Sequence, residues 1–133
     1  MAAGVDSDAE SQRAVTPELS FDPRYVSFFE QFNRQHYFEA HEVLEELWHT
    51  THHERRDFYK GLIQTAAVFL KLKQGQLAPA ARLAGRALSV LEPYEPRCEG
   101  LDVRTATALL REVVRGRNLL AKGSPPHLEP AAS

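Results

Sequence analysis

Apolar positions along this chain recur at intervals of three and four, and in none of its segments do they alternate strictly, so the pattern predicts helices and no strands. Tyr25, Phe28, Phe29 and Phe32 stand at the 0, 3, 4, 7 spacing of one stripe, behind Asp22 as N-cap and Pro23 at the first helical position. The spacing predicts a helix over about Pro23 to Asn33. A second helix follows from about Tyr37 to Trp48, with no good capping residue at its start. The third, about Glu54 to Gln74, has the uncharged centre Gly61-Leu-Ile-Gln-Thr-Ala-Ala-Val-Phe-Leu70. Apolar on nearly every face, it is expected to have neighbours on several sides. Lys60, Gln64 and Lys71 form its narrow polar stripe, and Gly75 is placed to stop it in a left-handed cap.

Pro79 suits the first turn of a fourth helix, whose inner face is Ala80, Leu83, Ala84, Ala87, Leu88 and Leu91; the alanines and Gly85 allow a partner helix to come close. Pro93 and Pro96 end it, and Glu92 to Gly100 is expected to be a loop. Asp102 caps a fifth helix with Val103, Ala106, Leu109, Leu110 and Val113 inward, before Gly116. The expected fold is all-α, a compact bundle of about five helices around the buried third one. Residues 1–19 and 122–133 lack the apolar side chains needed to offset the entropy of ordering. They are expected to be disordered tails flanking a helical domain at 20–121.

The second helix breaks its own pattern. On a wheel, Ala40, Leu44, Leu47, Trp48 and Phe38 share one arc, with Glu39, Glu42 and Glu46 opposite, yet His41 and Glu45 fall inside the apolar arc. Four residues apart, they stand one turn above each other. A carboxylate and an imidazole on a buried face are costly unless something satisfies them. Imidazole with carboxylate suits a divalent transition metal, so His41 and Glu45 are candidate ligands, with His36, His52, His53 and, more weakly, Gln64 as sources of a third. The structural alternative is that the pair bond each other, or that Glu45 meets Arg82 or Arg86.

His41, Glu45 and Trp48 fill a pattern HxxxExx(W/Y). In this the chain resembles the bacterial and archaeal family called domain of unknown function 309, and the likeness extends through Gly61-Leu-Ile-Gln64, Gly75 and Ala80 to Leu91. The resemblance implies a small all-helical protein, suspected of binding metal, with no assigned activity. Other motifs fall short. His41-Glu-Val-Leu-Glu45 has Glu where a zinc protease needs its second histidine. Glu46-Leu-Trp-His49 is one Glu-x-x-His, where a di-iron carboxylate bundle needs two and further glutamates. Gly75 to Pro93 imitates half a tetratricopeptide unit once, and one unit cannot stack into a solenoid.

Composition changes this picture little. The 133 residues include 43% hydrophobic and 26% charged side chains, as in ordinary globular domains. Charge is uneven: residues 1–53 hold ten acidic and three basic side chains, residues 54–133 eight and thirteen. Opposite halves complement each other within one fold or across a homo-oligomer. No basic patch interleaved with aromatics argues for nucleic acid, and no apolar run for a membrane. The single Cys98, between acidic Glu95 and Glu99, is unsuited to be a nucleophile, and one cysteine fits a cytoplasmic location. Two functions of different class remain: a small metal-binding helical protein, or a non-catalytic, self-associating module whose polar motif only specifies the fold.

Overall fold

In the computed structural model, residues 21–121, 123 and 125–131 are described. Five helices carry the fold: α1 (Pro23–Asn33), α2 (Tyr37–Thr50), α3 (Arg56–Lys73), α4 (Leu77–Leu91) and α5 (Val103–Val114). A 3-10 turn (Glu92–Tyr94) and a two-residue antiparallel ladder, β1 (Arg97–Cys98) with β2 (Leu101–Asp102), lie between α4 and α5. The class is all-α.

Local chemistry explains the boundaries. Asp22 Oδ1 accepts from the Arg24 amide at 2.8 Å with Pro23 following, so α1 starts where a cap and a preset φ coincide. Gly75, at φ 76°, ends α3: its amide donates to the Leu72 carbonyl and that of Gln76 to Lys71, the double bond of a Schellman cap. The expected loop at Glu92–Gly100 instead contains the small hairpin. Glu99 and Gly100, at φ 50° and 76°, form its reversal, with the two successive positive φ values that a tight two-residue turn demands. So short a ladder has no room for alternation, and for that reason no periodicity announced it.

Each helix packs on the next, and α3 also meets α1. Ten of its eighteen residues are buried, which makes it the central helix. Phe69 meets Phe32 of α1 and Tyr37 of α2, with ring centroids 5.3 and 5.7 Å apart. On the other side the close approach to α4 falls at Gly61. A Cβ there would stand 2.6 Å from Leu91 Cδ2, whereas nothing lies within 4 Å of the same position on Gly85. The small residue that admits the neighbour is therefore on α3, opposite a bulky leucine.

Of the segment 122–133, expected from sequence to be a disordered tail, residues 125–131 are described and dock on the domain. Leu128 is 2% exposed and belongs to the core. The Asn33 side chain holds it from both sides: Nδ2 donates to the Leu128 carbonyl at 2.8 Å, and Oδ1 accepts from the Leu128 amide at 2.9 Å. Further on, the Ala131 amide donates to the Gly100 carbonyl at 2.7 Å. One leucine and a side-chain amide that imitates a strand neighbour suffice to dock it. The N-terminal tail expected over residues 1–19 lies outside the described residues.

Candidate functional site

The buried stripe of α2 is Tyr37, Ala40, Leu44 and Leu47. His41, Glu45 and Trp48 each follow a buried residue by one position, which rotates them about 100° to the edge of that stripe. They are half-buried, not enclosed as the wheel predicts. Phe38, also placed in the apolar arc, is 52% exposed and lies flat beside the His41 ring, with centroids 6.4 Å apart. Tyr37 takes the core position instead.

The rim residues meet α3 across a surface cleft of about 180 Å³ lined by Glu45, Trp48, Lys60, Ile63 and Gln64. Trp48 is held in place from outside: the Arg56 guanidinium lies 3.9 Å from its ring centroid, a cation–π contact. His41 is one turn beyond the cleft lining. Four buried polar atoms on these helices have no hydrogen-bond partner among the described residues: Tyr37 Oη, His41 Nδ1, Trp48 Nε1 and Gln64 Oε1. All four lie on α2 or on the facing side of α3. A buried polar group left unmatched costs about 1 to 3 kcal/mol, so such a concentration is unusual for a face with only a packing role. Burial also pushes the Tyr37 hydroxyl up to about 12.

Neither structural pairing expected from sequence forms. His41 Nδ1 does not bond Glu45, and Glu45 has no ion pair with Arg82 or Arg86, both exposed on α4. The further ligand candidates do not converge either. His52 and His53 are exposed in the loop after α2, as is His49 at its end, and the exposed His36 is 2.9 Å from Gln31 Oε1 through Nδ1. Among the described residues no three His, Cys, Asp or Glu side chains group as a metal would need. Catalytic zinc uses three protein ligands. Here the chain offers two strong donors, with the Gln64 amide oxygen on the facing helix, a set that fits a resident ion poorly. An ion at His41 and Glu45 would draw the rest of its shell from outside the chain.

Sequence reasoning assigned Gln64 to a narrow polar stripe and to a weak ligand role; the structure places it in the cleft lining with its Oε1 buried and without a partner among the described residues. It is the one long polar side chain within an otherwise apolar ten-residue run, and that was the available signal. Arg56 gave none. Cys98 is half-buried in β1, and burial, reinforced by Glu99 and Glu54 against the opposing Arg55, pushes its thiol up to about 11. A thiol raised in this way holds little thiolate at neutral pH.

With this geometry in view, the model of a family described as Domain of unknown function (DUF309) matches residues 25–83, a stretch from α1 into α4 that contains the whole cleft. Residues 25–83 are similar to that domain. An uncharacterized protein of Aquifex aeolicus (strain VF5) is 28% identical over 99 residues, 74% of this chain and 29% of that protein. The chain thus spans under a third of that relative's length. No solved structure matches significantly. The similarity to DUF309 brings no activity with it. Among the described residues no helix is long and apolar enough to cross a membrane.

Proposed function

We propose that the cleft between α2 and α3, one turn from His41, is a ligand-binding site and that its polar residues are retained for the ligand, not for the fold. One observation carries this. His41 Nδ1, Trp48 Nε1 and Gln64 Oε1 are buried without partners, although a fold-specifying network would satisfy its own members. The test is a thermal-shift screen of untagged protein against small polar molecules and divalent metals, with Gln64→Leu as control. A true ligand raises Tm by mass action and loses that effect in the variant. If nothing raises Tm and Gln64→Leu lowers stability by about 1 to 3 kcal/mol, the network is structural.

A second reading keeps a divalent transition metal on His41 and Glu45, supported by the absence of a protein partner for His41 Nδ1. Cobalt or nickel added to chelator-stripped protein then quenches Trp48 saturably, and binding weakens in acid because a ligating imidazole must be deprotonated. Quenching that survives His41→Ala would move the ion to the exposed His49, His52 and His53. The rival of another class, a self-associating module, draws on the exposed Phe38 beside His41. Sedimentation of the wild type against Phe38→Ser tests it: a monomer in both rejects it.

A further inference from the structure

The central helix leaves one strip of its surface open, and two helix edges of opposite charge flank it. Lys60, Gln64, Ala67 and Lys71 share that strip, and none of them is buried. Lys60 lines both the cleft with α2 and a second one, of about 360 Å³, with α4, so the two clefts open on the same side of α3. Glu45 borders the first and Ser89 the second. Phe38 and Glu42 precede Glu45 at the spacing of one helix face, and Arg82 and Arg86 precede Ser89 at the same spacing. All four are exposed, Phe38 by 52%. Glu42, Glu45, Lys60, Arg82 and Arg86 form no ion pair among the described residues. One face of the bundle therefore runs from an acidic edge with a bare phenylalanine, across α3, to a basic edge.

The two edges are also in register. Short loops make α2 and α4 each antiparallel to α3 and so parallel to each other. Trp48 meets α3 at Lys60, Ile63 and Gln64, and Leu91 meets it at Gly61, so Trp48 and Leu91 stand nearly level. Counted back equally from these two, Phe38 comes level with Ala81, beside Arg82, and Glu42 with Gly85, beside Arg86. We propose that this face binds a second copy of the chain about a two-fold axis parallel to α3. That axis keeps the helix directions and exchanges the edges, so α2 of each copy lies over α4 of the other. Glu42 then meets Arg86 and the Phe38 ring meets the Arg82 guanidinium, each contact made twice. A two-fold across the helices would instead set Glu42 against Glu42, which repels. The proposal rests on the self-association reading and gives it a surface and a geometry. Three helices about 20 Å long and about 9 Å apart offer roughly 500 Å² per copy. The total lies near the lower bound of roughly 1,000 Å² for a specific interface, so the dimer is expected to be reversible.

Sedimentation of the full chain at protein concentrations up to about 1 mM is expected to show a monomer–dimer equilibrium that weakens as salt rises. Glu42→Arg and Arg86→Glu should each raise the dimer Kd at least roughly tenfold, because each sets like charges together at both ends of the interface. Both side chains are exposed and unpaired within one copy, so the helix content by circular dichroism should stay unchanged. Mixed in equal amounts, the two variants should form a heterodimer about as tight as the wild type. In that heterodimer the two reversed charges meet each other, and so do the two native ones. A mixture no tighter than either variant alone overturns the pairing. Tighter association in Glu42→Arg alone would mean α2 on α2 and overturns the axis. A dimer indifferent to both reversals overturns this face and leaves self-association standing. A monomer at every concentration overturns both.

Discussion

Two polar clusters sit at opposite edges of α3, and they are built on contrary terms. At the hairpin, the Tyr25 hydroxyl donates to the Glu99 carbonyl at 2.9 Å and the Tyr59 hydroxyl to the Glu99 carboxylate at 3.3 Å, while Arg55 pairs with that carboxylate. Each polar group brought inside has a partner. At the motif, Tyr37, His41, Trp48 and Gln64 each bring a polar atom inside and none finds one. Burial alone does not separate these clusters; satisfaction does. The hairpin cluster is explained by the fold it locks, and the motif needs something besides the fold.

The contrast breaks most visibly under mutation of Glu99. Glu99→Ala leaves the Tyr59 hydroxyl and the Arg55 guanidinium without their acceptor and should lower the unfolding free energy by about 1 to 3 kcal/mol in denaturant titration. Alkaline titration comes next. Tyr37 titrates near 12 in the fold and near 10 unfolded, so its contribution is complete below about pH 10 and is lost as pH rises through the folded value. Stability should therefore fall above about pH 10, and less steeply in Tyr37→Phe. Tyr59 is raised by burial first and then by the Glu99 charge, so Glu99→Gln should soften its share of the loss and leave that of Tyr37 unchanged.

A smaller effect, about 1 kcal/mol, is expected for Tyr25→Phe, which removes a satisfied donor. Smallest in cost are Gln64→Leu and His41→Leu, which remove unsatisfied atoms and should leave stability unchanged or raised. If these two cost as much as Glu99→Ala, the motif is a structural network and the comparison collapses.

Much of this was legible in the sequence, for a physical reason. Helices that pack on one face write that face into their spacing, and Tyr25, Phe28, Phe29 and Phe32 are buried as the spacing requires. Ala80, Ala84, Ala87 and Leu91, and Val103, Ala106, Leu110 and Val113, behave alike. What failed involved contacts that leave no periodic trace. A wheel could not place the centre of the α2 stripe to within one residue, and one residue moves His41 and Glu45 from the middle of the face to its edge. Leu128 is a lone leucine among prolines, and its partner, Asn33, lies far upstream in sequence. The motif was visible as residues, because a histidine and a glutamate at apolar positions are conspicuous. The absence of partners around it was not, since a missing hydrogen bond exists only in three dimensions.

The clasp of Asn33 on Leu128 also orders the folding reaction in time. Helices joined by short loops meet their neighbours early, whereas this contact joins positions 95 residues apart and closes a loop that spans most of the described residues. Both of its seats, the end of α1 and the hairpin at Gly100, must exist before the segment can dock. It is a late seal on a body already assembled. Ending the chain before Pro125 should then leave the refolding rate nearly unchanged and speed unfolding, because interactions formed after the transition state act on the unfolding limb alone.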